Sequence, residues 1–398
     1  MLLERFIKYV KIDTQSDENS NEVPSTKKQL DLLRQLHKEL SDMGIKAEID
    51  KFGRLYAFIE GNKKVESIGL CAHVDTASEA SGKNVKPQII EDYSGKDIKL
   101  GKSGLVLSAK EYPHLNKCIH KTIITTDGTT LLGGDDKAGV AIIMEVAKKY
   151  LELPVNERHP MHILFTPDEE IGRGAEHLNL TKFNCQFAYT FDGAEPDVLN
   201  IENFNAKSAS IKITGKSIHP GDAKGIMVNA GLVATEFAAM LPKKMTPSYT
   251  EEREGFNHLT AMSGDVEHAE LHYILRNHDM KKLLKQEEDF KKIAKKLQVK
   301  YPTAKIDLVI TDSYKNMFSI IIDKPACKNH IENVYKKLNI KFTYQPIRGG
   351  TDGSTFSYLG CPTPNLGTGS YNHHGRYEFA VLEEMQQLVN IGLEIFKI

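Results

Sequence analysis

The 398-residue sequence is short of several features that mark common protein classes. Its five cysteines are widely spaced and contain no C-x-x-C pair, which argues against a disulfide framework and against a cysteine-based zinc site. No run of about 18 apolar residues occurs, so no membrane-spanning helix is predicted. Lysine plus arginine (52) and aspartate plus glutamate (53) nearly cancel, which does not favour a nucleic-acid or membrane-surface protein.

Several well-known catalytic signatures are missing as well. There is no G-x-S-x-G nucleophile elbow and no H-E-x-x-H zinc helix. The segment GKDIKLGKS, which begins at Gly95, is one residue too long for a phosphate-binding P-loop. Charges at Glu4, Arg5 and Lys8 make the N-terminal segment resemble an amphipathic helix rather than a signal peptide. We therefore expect a cytoplasmic protein with no nucleic-acid and no membrane partner.

Length and patterning predict a chain of two domains. In residues 1–206, apolar runs typical of buried strands alternate with segments of helical period, which favours a layered α/β domain. In residues 207–315 the order becomes strand, helix, strand, strand, helix, strand, which is typical of a small α+β unit. Glycine-rich loops and helices resume in residues 316–398. We predict an α/β catalytic domain in two parts, interrupted by the inserted α+β domain.

One helix has clear boundary signals in the sequence. A leucine stripe from Leu30 to Leu40 predicts a helix that begins at Ser25 or Thr26 and stops at Gly44. Serine and threonine are favoured at helix N-caps, and glycine is favoured just past a helix end.

Histidine and aspartate pairs stand at a predicted strand end and in a glycine-rich loop. In AHVDT, Asp75 lies two residues after His73 and can hold one ring nitrogen while the other binds a metal. An ordinary strand-end histidine is the alternative for this triplet alone. In GGDDKAG, Asp135 and Asp136 oppose an anion and favour a cation, although either one could simply cap the following helix.

Two adjacent glutamates form the next candidate. Pro167 ends a strand in FTPDEEIG, so Glu169 and Glu170 lie in a loop where neighbouring side chains diverge. One carboxylate could then take a metal while the other faces a substrate, and an exposed acidic turn is the alternative. Asp192 in TFDGAE and His374 in YNHHG complete the set, with an Asp-Gly turn and a surface histidine as their plain alternatives.

The combination of these residues is more informative than any one of them. Mixed histidine and carboxylate ligands suit zinc, cobalt or manganese. Three ligand carboxylates and one bridging hydroxide would balance the charge of two divalent ions. A partly buried site requires such near-neutrality, so a two-metal centre is predicted.

These segments resemble a known family, the two-metal, co-catalytic zinc exopeptidases that include carboxypeptidase G and succinyl-diaminopimelate desuccinylase. The similar segments are AHVDT, SGKNVKPQII, ITTDGTTLLGGDDKAG, FTPDEEIGRGA, IENFNA, HPGDAKGIMVNA, DSYKNM, IRGGTDG and YNHHGRYEF. SGKNVKPQ and IENFNA are more specific to the tripeptide aminopeptidases of this family than the metal motifs are. The resemblance implies a mixed-sheet α/β/α catalytic domain with an inserted, ferredoxin-like α+β lid domain.

The resemblance also implies two Zn²⁺ ions per subunit, with Co²⁺ or Mn²⁺ as substitutes. His73, Asp135 and Asp192 would hold one ion. Asp135 would bridge to the second ion, which Glu170 and His374 complete.

Four further roles are implied by the resemblance. Asp75 would support the ring of His73, and Glu169 would act as the general base. His219 would reach the substrate carbonyl when the domains close. Arg348 would bind the terminal carboxylate of the peptide.

The implied activity is release of the N-terminal residue from a tripeptide by attack of a metal-bridging hydroxide. The expected partners are small peptides, chiefly tripeptides, and the resemblance is compatible with a homodimer. One alternative is a dipeptidase or deacylase of the same family. Another is a metal-binding protein on an inactive hydrolase scaffold, against which the presence of Glu169 and of every implied ligand argues.

Overall fold

The computed structural model describes residues 2–398. The chain divides into two compact units. The larger unit consists of residues 2–201, Met317–Gln345 and Thr351–Ile398, and the smaller unit consists of Glu202–Asn316 and Pro346–Gly350.

Helices are spread over the whole chain. They are α1 (Leu2–Val10), α2 (Gln29–Asp42), α3 (Gly134–Tyr150), α4 (Ala230–Met240), α5 (Met280–Lys300), α6 (Phe318–Asp323), α7 (Ala326–Lys337), α8 (Asp352–Leu359) and α9 (Leu382–Ile395). Within residues 2–398, none of the helices is both long enough and apolar enough to cross a bilayer.

The strands are mostly short. They are β1 (Lys46–Ile49), β2 (Leu55–Ile59), β3 (Ile68–His73), β4 (Gln88–Ile90), β5 (Ile98–Lys99), β6 (Val106–Leu107), β7 (Ile123–Thr125), β8 (Met161–Thr166), β9 (Phe187–Gly193), β10 (Val198–Asn200), β11 (Asn205–Thr214), β12 (Phe256–Gly264), β13 (His268–Asn277), β14 (Lys305–Asp312), β15 (Thr343–Tyr344), β16 (Asn365–Gly367), β17 (Ser370–Tyr371) and β18 (Phe379–Val381).

The larger unit is built around a mixed sheet with the strand order β1-β2-β8-β3-β9-β16-β10-β15. Strands β8, β3, β9 and β16 are parallel neighbours, whereas β1, β2 and β10 pair antiparallel with their neighbours β2, β8 and β16. β3 and β8 are buried along their whole length, as is usual for parallel strands. Helix α3 packs against β3 and β9 and also contacts α1 and α9. The carboxyl ends of the parallel strands therefore meet at one edge of the sheet.

The smaller unit has the predicted order of elements: β11, α4, β12, β13, α5, β14. Its antiparallel sheet has the order β12-β13-β11-β14. The two-residue alternation in β11 places Ala209, Ile211 and Ile213 in the core, where they pack with apolar residues of α4 and α5. The α/β class with an inserted α+β unit follows from these two patterns.

Helix α2 begins later than its boundary signals predict. It spans Gln29–Asp42, so Ser25 and Thr26 lie outside it. The backbone N–H of Ser25 instead donates to the carboxylate of Asp168, at 2.7 Å. The stop signal is correct, because Gly44 follows the helix with a left-handed φ of 76°. Ser25, which could have capped the helix, therefore binds Asp168 instead.

Leu271 tests the core of the smaller unit. Its side chain is fully buried between β13 and the helices. Leu271→Ala is expected to lower the free energy of unfolding by about 2–5 kcal/mol, because the lost apolar contacts leave a cavity. Leu232→Ala on α4 is the matched control: Leu232 is 67% exposed, and its loss should change stability by less than about 0.5 kcal/mol. Urea denaturation followed by circular dichroism measures both, and equal losses would contradict this core.

Candidate metal centre

Three neighbouring parallel strands bring four predicted residues together. His73 is the last residue of β3, and Asp192 lies near the end of β9. Glu169 and Glu170 follow β8 through a turn. Because β8, β3 and β9 are adjacent, the residues at and after their carboxyl ends lie close together, as the sequence predicts.

A first group of donors forms around one ring nitrogen of His73. His73 Nε2 lies 3.0 Å from Asp135 Oδ1 and 3.5 Å from Asp192 Oδ1. On the other side of the ring, Nδ1 lies 3.3 Å from Asp75 Oδ1 and 3.2 Å from the Asp75 carbonyl oxygen. Asp75 therefore occupies one ring nitrogen and leaves the other towards Asp135 and Asp192, as in histidines that ligate metals.

A second group forms around the other oxygen of Asp135. Asp135 Oδ2 lies 3.3 Å from His374 Nε2, which is 3.0 Å from Glu170 Oε2. The other oxygen of Glu170, Oε1, is buried and has no hydrogen-bond partner among the described residues. The two oxygens of Asp135 thus face two different groups of donors, one with His73 and Asp192 and one with Glu170 and His374.

His373 lies beside the second group but has another partner. Its Nδ1 is 3.3 Å from Asp135 Oδ2, and its Nε2 is 2.9 Å from Ser370 Oγ. His374 directs Nε2 to the carboxylates and Nδ1 to the exposed Glu79, at 3.3 Å. The geometry favours His374 as the histidine of this group.

Asp75 also holds the loop that carries the two glutamates. Its Oδ1 accepts from the N–H of Glu169 at 3.0 Å, and its Oδ2 accepts from the N–H of Glu170 at 3.1 Å. Glu169 Oε2 lies 4.0 Å from His73 Nε2, so Glu169 borders the first group. One buried carboxylate therefore fixes both the His73 ring and the loop of Glu169 and Glu170.

Asp136 lies within 4.8 Å of donor atoms of His73 and Asp192, but both of its carboxylate oxygens already accept from backbone groups. Its Oδ2 accepts from the N–H of His73 at 3.1 Å, and its Oδ1 accepts from the N–H of Gly139 at 3.2 Å. The second bond is of the kind made by a helix N-cap. Burial and the nearby Asp192 raise the pKa of the Asp136 carboxyl well above its usual range.

Several buried carboxyl groups at this centre have raised pKa values. Burial, together with the charge of Asp135, raises the pKa of Glu170 to about 7. Burial and the charge of Asp192 raise the pKa of Glu169 well above its usual range. Burial also raises the pKa of Asp352 to about 7. In each case burial is the largest cause, because a buried carboxyl group loses the water that stabilises its charge.

The pKa of Asp135 is shifted in the opposite direction, below its usual range. Burial opposes its ionisation, but the charge of His373 and hydrogen bonds from His374 and His73 outweigh burial and hold the pKa of Asp135 well below its usual range. Hydrogen bonds to Asp135 and Glu170 in turn raise the pKa of His374 to about 12. The centre of the cluster is therefore an ionised carboxylate between histidines.

Asp168 anchors the glutamate loop from its other side. Its Oδ1 accepts from Ser25 Oγ at 2.5 Å and from Gln29 Nε2 at 2.6 Å, and its own N–H donates to Gln29 Oε1 at 3.0 Å. Its backbone is left-handed, with φ 60°, which aspartate adopts more readily than most residues. The turn before Glu169 and Glu170 is thereby tied to the start of α2.

Two other buried carboxylates at the site were not predicted from the sequence. Asp352, in IRGGTDG, accepts from Thr166 Oγ1 at the end of β8, at 2.7 Å. Glu378, in YNHHGRYEF, accepts from backbone N–H groups next to Asp135. Both lie in segments that resemble the family, and this resemblance is the only sequence feature that could have drawn attention to them.

The remaining two predicted residues, His219 and Arg348, lie in the smaller unit. The side chain of His219 is 78% exposed, and its Nδ1 accepts from the N–H of Gly221 at 3.1 Å. The guanidinium of Arg348 donates to three backbone carbonyl oxygens, those of Thr250, Glu252 and Glu254. Their roles at a substrate stay predictions.

The class of protein follows from comparison with known families. Residues 128–397 match peptidase family M20/M25/M40. The chain belongs to this family.

Within that class, the chain is similar to proteins named peptidase T. It is 45% identical over 401 residues to peptidase T of Caldanaerobacter subterraneus subsp. tengcongensis, and the match covers 100% of this chain and 98% of that protein. The resemblance read from the sequence motifs is confirmed.

The fold has counterparts among solved structures. One is a tripeptidase from Staphylococcus aureus, with a TM-score of 0.78, 22% identity, and 100% of this chain and 97% of that chain covered. Another is the YXEP protein of Bacillus subtilis, a dinuclear metal binding peptidase, with a TM-score of 0.63, 12% identity, and 99% and 96% covered. The predicted fold class, a mixed α/β fold with a large mixed sheet, is confirmed.

Asp168→Asn tests the anchor of the glutamate loop. Asparagine tolerates the left-handed backbone but has only one oxygen, so its amide group would meet the donors of Ser25 or Gln29. We expect the free energy of unfolding to fall by about 1–3 kcal/mol in urea denaturation. The control is Asp92→Asn, at an exposed aspartate that is also left-handed, with φ 47°. A loss at Asp92 as large as that at Asp168 would contradict the anchoring role.

Proposed function

We propose that the protein is a metal-dependent aminopeptidase that releases the N-terminal residue from tripeptides. Full-length similarity to peptidase T supports the reaction class and the substrate. The observation that carries the proposal is the position of Asp135, whose Oδ1 faces His73 and whose Oδ2 faces His374. Residues 1–206 and 316–398 are proposed as the catalytic domain, and residues 207–315 as the lid.

The donor set fits two divalent cations. Imidazole nitrogens and carboxylate oxygens suit Zn²⁺, with Co²⁺ or Mn²⁺ as substitutes. The buried Glu170 Oε1 supports this fit, because an unpartnered buried oxygen costs free energy that a cation would recover. The proposed ligands are His73, Asp135, Glu170, Asp192 and His374.

A third group with metal-ligating side chains fits a cation poorly. His114, Cys118 and Glu384 lie close enough together to share one ion. However, the ammonium of Lys121 lies 2.8 Å from Glu384 Oε1 and already neutralises that carboxylate. A cation there would also meet the repulsion of Lys121.

When bound, the two cations would polarise the peptide carbonyl and lower the pKa of water towards about 7. Glu169 is the proposed general base, since its carboxylate borders the first donor group and its backbone is fixed by Asp75. It would take a proton from the attacking water and return it to the leaving amine. A positioned base of this kind contributes roughly 10²–10⁴-fold to a rate.

The lid residues are assigned to the substrate. His219 is proposed to contact the peptide carbonyl, and its high exposure leaves the ring free to do so. Arg348 is proposed to bind the terminal carboxylate, which requires its guanidinium to exchange backbone carbonyls such as that of Thr250 for the substrate.

Chelation and substrate choice test the function together. The protein should hydrolyse a free tripeptide, lose that activity in a chelator, and regain it with Zn²⁺, Co²⁺ or Mn²⁺. An N-acetylated tripeptide and a dipeptide should be much poorer substrates, because the proposed reaction releases an N-terminal residue with a free amine from a tripeptide. Preference for the acetylated peptide would favour a deacylase, preference for the dipeptide would favour a dipeptidase, and activity that persists in chelator would contradict the metal mechanism.

Glu169→Gln tests the general base. The amide keeps the shape of the side chain but cannot accept a proton, so kcat should fall by roughly 10²-fold or more while bound metal, measured by plasma emission spectroscopy, stays unchanged. Glu176→Gln is the control, because Glu176 lies in the same loop and pairs only with Arg173 within the described residues. Near wild-type turnover in the Glu169 variant would show that another group takes the proton.

A further inference from the structure

We propose that Glu378 is a positioning residue that sets the place of Asp135 by binding the backbone of the loop in front of it. The inference rests on the proposed two-cation site, because Asp135 is the residue shared by the two donor groups. It assigns a role to a carboxylate that neither faces a donor group nor belongs to the proposed ligands.

Glu378 binds three backbone donors with one carboxylate. Its Oε2 accepts from the N–H of Leu132 at 2.8 Å and from the N–H of Gly133 at 2.7 Å. Its Oε1 accepts from the N–H of Asp135 itself at 3.0 Å. The residue is 1% exposed, so these bonds form where water competes little. Three backbone hydrogen bonds to one buried carboxyl group restrain the loop that provides them.

The loop that precedes Asp135 has an irregular backbone that requires a restraint. Gly133 is left-handed, with φ 80°, and Asp135 has non-helical angles although it lies at the start of α3. A side chain at Gly134 would place its Cβ 3.2 Å from Glu378 Oε1 and 3.0 Å from Ser370 Cβ. Glycine allows this close approach, but Gly133 and Gly134 have no side chains that could hold this part of the loop. The carboxylate therefore supplies the restraint that the glycines cannot.

The same carboxylate connects the two loops of the second donor group. Glu378 follows His374 by four residues, and its own N–H closes the intervening turn on the carbonyl oxygen of Gly375, at 3.3 Å. Its side chain reaches the loop of Asp135. Asp135 and His374 lie far apart in sequence, and Glu378 is a single residue that belongs to one of their loops and binds the other.

Both carboxylate oxygens of Glu378 already have hydrogen-bond partners, which agrees with a positioning role. Each oxygen of Glu378 already accepts at least one backbone N–H, whereas Oε1 of the proposed ligand Glu170 accepts none among the described residues. Residues that orient metal ligands in this way change metal affinity by roughly 10–100-fold when they are lost.

The experiment measures Zn²⁺ affinity by calorimetric titration of the metal-free protein and of its variants. Glu378→Gln keeps the shape of the side chain but turns an NH₂ group towards the backbone donors, so the Zn²⁺ Kd should rise roughly 10–100-fold. Glu378→Asp keeps the charge with a shorter reach and should lie between the wild type and the glutamine variant. If the glutamine variant does not fold, the aspartate variant decides, and an unchanged Kd in it overturns the proposal.

Glu39→Gln is the control. Glu39 is a partly buried glutamate of α2 that accepts from Tyr9 Oη and Gln35 Nε2, and neither donor belongs to a loop that carries a proposed ligand. Its loss should lower thermal stability and leave the Zn²⁺ Kd unchanged. Equal weakening of Zn²⁺ binding in the Glu39 and Glu378 variants would mean general destabilisation and would overturn the positioning role. Wild-type protein that binds no Zn²⁺ would instead refute the proposed function.

Discussion

The carboxylate of Asp135 is shared between two groups of donors, and the surrounding structure is arranged to keep it ionised. Histidines on both sides hold its pKa well below the usual range, while neighbouring carboxyls such as Glu169 and Glu170 have raised values. Gathering carboxyl groups in a buried place is costly unless cations neutralise them. That cost is a physical reason to expect two divalent ions at this edge of the sheet.

Other carboxyl groups at the site bind the backbone rather than the side chains around Asp135. Asp75, Asp136 and Glu378 each accept hydrogen bonds from the backbone of a loop or strand that carries a proposed ligand. Asp168 ties the loop of the two glutamates to the start of α2. These bonds give the buried carboxyl oxygens hydrogen-bond partners and fix the backbone that carries the ligands. The geometry of the proposed ligands therefore depends on them.

The sequence predicts the parts of this site that depend on local pattern. Apolar runs that end in polar residues placed His73 and Asp192 at strand ends, and adjacent parallel strands then brought them together. The pairing of Asp168 with Ser25 joins residues 143 apart and displaced the predicted helix start, which no local pattern reports. The bonds from Gly133 to Glu378 span 245 residues and are equally invisible to periodicity. Which glutamate of the adjacent pair has which role came from the family resemblance, because neighbouring loop residues have no distinguishing pattern.

The most direct test of the two-cation centre is a crystal structure of the protein grown with Zn²⁺, with an anomalous difference map recorded at the zinc absorption edge. Two peaks are expected, one beside each oxygen of Asp135, the first next to His73 and Asp192 and the second next to Glu170 and His374. A single peak, a peak coordinated by His373, or peaks away from Asp135 would contradict the shared carboxylate on which the site is built.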